Sequence, residues 1–324
     1  MSKKFTILFP CVGRRVSLVR AFQQSCKRLG YQPRLIGSDK TEYSSALQCC
    51  NKKYVVTPVF QNGYAQEMMN IVRKERVDLL VPTVDLDLPV WAERREELAD
   101  TGCTALISTP EVVQICQDKR QMFRFLREHG FRTPETYSVE EILKRKKHTF
   151  PYFLKPWDGH ASRGNAVARD LEELKFYTRR IPNCMVQDFV DGQEYTVDVF
   201  VDFAGAVRCA VPRRRIETRA GEVSKGVTVK NPSLMQRCKE LMEALGAGPG
   251  VITIQCFLTV KNQIEFIEIN PRFGGGAPLS IQAGADFPYW ILQFLTGHKP
   301  RISFDKWRDK LVMLRYDGAI WYQK

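Results

Sequence analysis

Apolar residues in the first third of the chain alternate between short continuous runs and stretches with helical spacing. The continuous runs predict five strands, at residues 5–9, 34–39, 54–56, 78–82 and 104–107. Apolar positions three or four residues apart predict helices at 18–29, 44–50, 64–75 and 118–130, and Ser17 is expected to cap the first of them. Strands that alternate with helices favour a parallel, doubly wound sheet, whose ligands bind beyond the carboxyl ends of its strands.

The pattern changes in the second half of the chain. Residues 150–156 and 165–168 predict a hairpin around a loop of small residues at 157–164, which is expected to be flexible. A helix at 139–147, a helix at 171–180 and a strand at 184–189 are also predicted. Residues 194–211 alternate apolar with polar residues, as half-buried antiparallel strands do, and 251–260 and 263–269 predict a second antiparallel pair. The fold class predicted is therefore α/β followed by α+β.

The net charge of the chain says more about its possible partners than the overall amino-acid composition does. The 44% of hydrophobic residues among 324 is typical of a globular protein and excludes a disordered or fibrous one. The 49 lysines and arginines exceed the 36 acidic residues, so the net charge is +13. Such a surplus suits an anionic partner: nucleic acid, an anionic membrane, or small molecules such as nucleotides.

Cysteine and histidine usage predicts the compartment. The 10 cysteines contain no Cys-x-x-Cys, and the 4 histidines have no metal-ligand spacing. Scattered cysteines in a chain long enough to build a core predict reduced thiols in a cytoplasmic protein. No run approaches the ~20 apolar residues that cross a bilayer, so no membrane partner is expected.

The strand at 263–269 leads into the most informative polar residues. Residues two apart on a strand face the same side, so Glu268 and Asn270 present two oxygen groups to one face. A hairpin would bring Gln255 of the preceding strand beside Glu268, and Arg272 follows directly after Pro271. Carboxylate and amide oxygens suit Mg²⁺, although an isolated Glu-x-Asn more commonly lines a solvated face.

Two further segments carry candidate chemistry. Lys155 ends an apolar strand beside the small-residue loop, where a positive charge and backbone N–H groups suit a phosphate, or where a surface lysine simply reaches solvent. The strand and turn at 185–194 carry Gln187 and Glu194, which fit a hinge that contacts adenine and ribose or an ordinary strand and turn.

These residues occur in one order along the chain: Lys119, Lys155, Gln187 to Glu194, Gln255, and Glu268-x-Asn270-x-Arg272. In this order the chain resembles the ATP-grasp superfamily, most closely single-module proteins similar to the large subunit of carbamoyl-phosphate synthase. The resemblance implies a Rossmann-like pre-ATP-grasp domain at 1–112, a central and lid subdomain at 113–186, and a C-terminal ATP-grasp domain at 187–324.

The resemblance also assigns expected roles to the site residues. Lys119 and Lys155 would hold ATP phosphates, and Gln187, Asp188, Phe189 and Val190 would form the adenine hinge. Glu194 would bind ribose, and Gln255, Glu268 and Asn270 would bind Mg²⁺, with Mn²⁺ as an alternative. Arg272, Lys155 and Arg214 are expected to be catalytic. Arg213, Arg215, Arg219 and Lys225 lie nearby, and which of these basic residues face the site stays open.

The resemblance implies an ATP-dependent ligase that phosphorylates a substrate carboxylate and then transfers the acyl group to an amine, with release of ADP and phosphate. The lid loop has fewer glycines than that of carbamoyl-phosphate synthase, and one copy of the module replaces two. A carboxyphosphate- or carbamate-forming enzyme and a non-enzymatic basic protein that binds nucleotides or nucleic acid are the alternatives. Nucleic acid is disfavoured because no recognition motif occurs.

The substrates are expected to be small molecules, including acidic ones, and a homo-oligomer stays open. Residues at the predicted strand ends either contact the substrate or lie in solvent-exposed loops: Arg14, Arg15, Asp39, Asp85 and Asp87.

Overall fold

The computed structural model describes residues 3–159, 164–219 and 221–323, which form three sheets. The first sheet is parallel with the strand order β3-β2-β1-β4-β5, so the predicted doubly wound arrangement is confirmed. Its strands are β1 (Lys4–Phe9), β2 (Gln32–Asp39), β3 (Lys52–Val55), β4 (Leu79–Leu80) and β5 (Thr104–Ala105). The helices of this part are α1 (Val16–Arg28), α2 (Tyr64–Glu75), α3 (Leu88–Glu93), α4 (Arg95–Asp100), α5 (Pro110–Gln117) and α6 (Lys119–Glu128).

The second sheet is antiparallel with the order β6-β9-β7-β8. Its elements are β6 (Thr136–Ser138), α7 (Val139–Lys144), β7 (Tyr152–Pro156), β8 (Ala166–Ala168), α8 (Leu171–Arg180) and β9 (Cys184–Asp188). The pairing of β7 with β8 confirms the predicted hairpin. Residues 160–163 of its predicted flexible loop lie outside the described residues.

The third sheet has six antiparallel strands in the order β14-β13-β10-β11-β12-β15. Its elements are β10 (Gly192–Val201), β11 (Val207–Arg219), β12 (Glu222–Thr228), α9 (Pro232–Leu245), β13 (Gly250–Thr259), β14 (Ile264–Asn270), α10 (Ala277–Ala283), α11 (Phe287–Leu295) and β15 (Val312–Leu314). The predicted hairpin of β13 and β14 is confirmed, and Asn262 in its turn has a positive φ of 56°.

Three local predictions are wrong for identifiable reasons. The helix predicted at 44–50 is only one 3-10 turn, Leu47–Cys49, because the chain turns into β3 directly afterwards. Ser17 does not cap α1: the chain turns one step earlier, where the Arg15 N–H donates to the Val12 carbonyl at 3.1 Å, and α1 has no side-chain cap. Residues 195–201 are buried on both faces rather than half-buried. The cause is that α9 packs against β10 and β11, while Ser280 of α10 contacts Asp198 from the other side.

One continuous core joins the first and third sheets. The ring of Phe22 on α1 meets the ring of Phe273, just after β14, with centroids 5.9 Å apart. At the far end of α1, Arg28 donates to Asp286 at 2.7 Å. This packing places the loop before α1 against the chain that leaves β14.

The division into three domains stays a prediction, because its boundaries at 112–113 and 186–187 fall inside α5 and β9 rather than between elements. Among the described residues no helix is long and apolar enough to span a membrane.

Candidate functional site

A cleft of about 710 Å³ lies where the three sheets meet. Most of the predicted site residues line it: Lys119, Lys155, Gln187, Asp188, Phe189, Val190, Glu194, Gln255, Glu268, Asn270 and Arg272. They come from α6, β7, β9, the chain after β9, β10, β13, β14 and the chain after β14, so segments that lie far apart in the sequence converge here. A second cavity of about 470 Å³ adjoins the cleft and shares Lys119, Glu268 and Asn270 with it.

The predicted metal ligands are neighbours on two paired strands. Gln255 of β13 pairs directly with Glu268 of β14, and Thr253 pairs with Asn270. With the Gln255 amide oriented to satisfy its surroundings, its nitrogen donates to Glu268 Oε2 at 2.9 Å and its oxygen accepts from Arg215 at 3.1 Å. The structure thus brings together the carboxylate and the two amides that the sequence predicts.

A buried lysine supplies positive charge to the same region. The Lys155 residue is only 7% exposed, and burial lowers the pKa of its ammonium group from 10.5 to about 8. The positive charge of Lys119 adds to this lowering, whereas Glu268 opposes it. Lys119, at the start of α6, donates to the Gly159 carbonyl and therefore lies beside the hairpin of β7 and β8. Both lysines lie in the same cleft as the candidate metal ligands.

The part of the cleft around Phe189 and Val190 combines aromatic walls with a carboxylate that is hydrogen-bonded to an arginine. Phe153, Phe189 and Phe257 line it, and the buried Gln187 amide donates to Thr136 Oγ1 at 2.8 Å. Glu194 accepts from Arg215 Nη1 at 2.6 Å. Burial raises the pKa of Glu194, although the charge of Arg215 opposes the rise. Aromatic walls and an acceptor carboxylate are groups that suit a nucleoside.

Successive side chains of β11 point to opposite faces, so the three arginines at 213–215 do not all face the cleft. Thr196 pairs with Arg213, and both line the cleft together with Arg215. Arg214 pairs with the core residue Tyr195, is exposed, and does not line the cleft. The choice of Arg214 as catalytic is therefore corrected in favour of its neighbours, because successive strand residues point to opposite faces. Lys225 and Arg219 also lie outside the cleft lining: Lys225 is bound to Glu217, and Arg219 is exposed.

We expect Arg215→Ala to weaken nucleotide binding by about 10–100-fold, because Arg215 orients Glu194 through a charge-assisted hydrogen bond. Arg214→Ala removes the same charge from the adjacent residue and is expected to change binding by no more than about twofold. Isothermal titration of both variants with ATP measures the difference. Equal losses in the two variants would contradict the division of the run.

Arg272 meets a carboxylate from the first sheet. Its Nε donates to Asp85 Oδ2 at 3.1 Å, and its Nη2 lies 3.3 Å from Asn270 Oδ1. Asp85 follows β4, where a doubly wound sheet places its ligands. Among the other candidate residues at strand ends, Arg15 lines the cleft and Arg14 is exposed. Asp87 is buried and accepts from Trp91 Nε1, and Asp39 accepts from the Gly13 N–H at 2.8 Å.

Sequence reasoning missed Glu222 and Asp198. Glu222 lies 3.3 Å from Arg15, and Asp198 forms two hydrogen bonds with Arg213. The signal for Asp198 was the spacing of Glu194, Thr196 and Asp198 along β10, which places three polar groups on one face of a strand. Glu222 had no comparable signal, because its partner is about two hundred residues away.

Comparisons with known proteins agree with this architecture. Residues 180–317 match the family described as ATP-grasp in the biosynthetic pathway with Ter operon, and residues 7–106 match the PylC-like N-terminal domain. The carbamoyl phosphate synthase large chain of Rubrobacter xylanophilus is 23% identical over 301 residues, which is 84% of this chain and 28% of that protein. This chain thus spans less than a third of that relative's length.

Two further proteins resemble the chain. The D-alanine–D-alanine ligase of Aquifex aeolicus is 26% identical over 220 residues, covering 62% of this chain and 75% of that one. The biotin carboxylase domain of Hydrogenobacter thermophilus 2-oxoglutarate carboxylase, solved with MgADP, ADP and bicarbonate, superposes with a TM-score of 0.76 at 17% identity. That match covers 96% of this chain and 74% of the solved one, and it shows the fold alone.

Proposed function

We propose that this chain is an ATP-grasp protein and an ADP-forming ligase that joins a substrate carboxylate to an amine through an acyl-phosphate. One observation carries the proposal: Lys155, the hinge, Glu268 with its amide neighbours, and Arg272 all line a single cleft. The relatives named as carbamoyl phosphate synthase and D-alanine–D-alanine ligase support it.

The residues present fit Mg²⁺ bound together with nucleotide phosphates. Glu268 and Asn270 offer a carboxylate and an amide oxygen, and the remaining ligands would come from phosphate and water. The Gln255 amide directs its nitrogen to Glu268 and its oxygen to Arg215, so Gln255 would orient Glu268 and would bind the ion only after its amide turned. Among the described residues no group of three or more histidines, cysteines or acids could hold a metal without such help. When bound, the ion would supply charge neutralisation to the triphosphate.

The residues of this chain would act mainly by binding and orienting the reactants. The apolar hinge walls would hold the base of ATP, and Glu194, fixed by Arg215, would accept from the ribose. Lys155, which is buried and forms no ion pair within 4.0 Å among the described residues, would bind the phosphates, and Arg272 would stabilise the charge on the transferred group. No covalent protein intermediate is required, since positioning and charge stabilisation account for catalysis of phosphoryl transfer.

The second cavity offers a route for the amine. Within the described ranges of the chain, its lining carries five carboxylates and one lysine, so it favours a cationic or neutral amine over an anion: Asp85, Glu93, Asp118, Asp158, Glu268 and Lys119. The free state of all ten cysteines is compatible with the proposed cytoplasmic location.

The test is ADP release over a panel of carboxylates combined with a panel of amines. We expect Mg²⁺-dependent ADP formation that requires both partners and yields one amide per ADP. ADP release with bicarbonate as the sole carboxylate would instead favour the carboxyphosphate-forming alternative. The similarity to the carbamoyl phosphate synthase large chain is the reason for testing this alternative. ATP binding without ADP release across the whole panel would contradict the ligase proposal.

A further inference from the structure

One end of the cleft is built from residues that ATP binding does not use. It lies along β10 beyond Glu194 and contains Arg15, Arg213, Glu222 and the glycine run 274–276. Arg272 precedes this run by two residues, so the arginine assigned to the transferred phosphoryl group borders the same region.

Arg213 carries a buried donor that the protein leaves unpaired. The residue is 1% exposed, and its Nε and Nη2 donate to the two oxygens of Asp198 at 2.8 and 2.9 Å. Ser280 Oγ also donates to Asp198, at 2.6 Å, so this carboxylate is fully engaged. Arg213 Nη1 has no partner among the described residues. Because an unpaired buried donor is costly and native chains leave few of them, this one points to a ligand that accepts.

The glycine run lets two guanidinium groups reach the backbone. A Cβ at Gly276 would lie 2.1 Å from Arg213 Nη1, and a Cβ at Gly275 would lie 2.6 Å from Arg15 Nη1. Real side chains never approach so closely, so a residue other than glycine at either position would push an arginine away. Because Gly275 and Gly276 have no side chains, the guanidinium groups of Arg15 and Arg213 can pack against two adjacent backbone positions on one wall of the cleft.

Arg15 is also short of strong partners. Its side chain is 18% exposed, its Nη1 lies 3.3 Å from Glu222 Oε1, and its Nη2 donates to the Thr83 carbonyl at 3.4 Å. Burial and the positive charge of Arg272 lower the pKa of Arg15 to about 10, so it remains cationic at neutral pH. Glu222 and Asp85 partly offset the repulsion between Arg15 and Arg272, and an added anion would offset it further.

We propose that Arg15 and Arg213 form a subsite for a second anionic group on the carboxylate substrate, an inference that rests on the ligase function proposed above. The substrate class is then a dianion: one carboxylate is phosphorylated near Arg272, and a second carboxylate or a phosphate binds between the two arginines. Guanidinium groups donate charge-assisted hydrogen bonds to both kinds of anion, and Arg213 would do so through Nη1, since its other donors bind Asp198.

The experiment compares matched substrates with hydroxylamine as the amine, which converts an acyl-phosphate to a hydroxamate and free phosphate. One arm pairs glutarate with its monomethyl ester, and the other pairs O-phosphoserine with serine, so the two arms separate carboxylate from phosphate. We expect the dianion of at least one pair to have a kcat/KM higher by about 10–100-fold. Arg15→Gln should bring that ratio close to one by raising the KM for the dianion, with the KM for ATP unchanged.

Arg14→Gln is the matched control, because Arg14 is the next residue, has a 74% exposed side chain, does not line the cleft, and loses the same charge. The Nη2 of Arg14 lies 3.9 Å from Glu222, the carboxylate that Arg15 also contacts, so this variant isolates the effect of removing a cation from Glu222. Its substrate ratio should equal that of the wild type. Arg213→Lys is a second variant, but Asp198 depends on Arg213, so circular dichroism must first show that this variant folds. If Arg213→Lys does not fold, the comparison of Arg15→Gln with the wild type and with Arg14→Gln tests the proposal by itself.

The outcomes separate the two proposals. ADP release from monoanions as efficiently as from dianions, or an unchanged ratio in Arg15→Gln, would overturn the subsite and leave the ligase function standing. If no carboxylate gives ADP, the ligase function fails, and the subsite is judged by thermal unfolding with inorganic phosphate or succinate alone. Stabilisation of wild type and Arg14→Gln but not of Arg15→Gln would support a dianion site, and no stabilisation of wild type would overturn it.

Discussion

Glu268→Ala is expected to lower the rate of Mg²⁺-dependent ADP formation by about 10²–10³-fold, the size of loss that follows removal of one preorganised electrostatic group. Glu268 is the single carboxylate of the candidate metal set, and its neighbours Gln255 and Asn270 cannot replace its charge. The steady-state rate of ADP release at saturating ATP measures the effect. Circular dichroism should show an unchanged fold, since Glu268 faces the cleft.

The control for this prediction is Glu265→Ala on the same strand. Glu265 accepts from Arg132 at 2.8 Å and is 8% exposed, but it does not line either cavity. We expect this variant to lose stability and to keep turnover per folded molecule. Wild-type turnover in Glu268→Ala would show that the metal set is wrongly assigned.

Lys155→Met is expected to stabilise the protein while it weakens ATP binding. The folded state holds the pKa of Lys155 at about 8, below its ordinary value of 10.5, chiefly because the group is buried. Below pH 8 the folded protein therefore carries a buried charge that the unfolded chain solvates, at a cost of up to about 3 kcal/mol. Removing the ammonium should raise the free energy of unfolding at pH 7 by up to about that amount.

The pH dependence of this effect has a definite sign. Between pH 8 and 10.5 the unfolded chain binds more protons than the folded one at Lys155, so the wild type gains stability as the pH rises. The advantage of Lys155→Met should accordingly shrink across that window. Urea unfolding at pH 7 and pH 10 tests this, and ATP titration should show a loss of about 10–100-fold in affinity.

The control for Lys155→Met is Lys146→Met, an exposed lysine on the same part of the chain. It should alter neither stability nor ATP affinity by more than about 0.5 kcal/mol. A Lys155→Met variant that is less stable than the wild type at pH 7 would mean that its ammonium group is already satisfied in the folded protein.

Much of the site could be predicted from sequence because its residues lie on regular strands. Successive side chains of a strand point to opposite faces, so Glu268 and Asn270 had to share a face. Gln255 lies opposite Glu268 only because a β-bulge between Gln255 and Cys256 shifts the register of the hairpin by one residue, and the sequence pattern does not show that bulge. The alternation of faces could also have divided Arg213, Arg214 and Arg215, but the face of β11 that is covered depends on its neighbour β10.

The sequence alone determined the doubly wound first sheet, the two antiparallel hairpins, and the order of the polar residues that line the cleft, whereas it predicted none of the helices α3, α4, α5, α9, α10 and α11. The features that it determined depend on local spacing and hydrophobic pattern, which each segment carries by itself. Only the tertiary structure decided which arginines face the cleft, that Asp85 meets Arg272, and that Arg15 and Arg213 lie on the glycine run. Those contacts join segments up to about 260 residues apart along the chain, and they exist because the core around Phe22 and Phe273 packs the first sheet against the third.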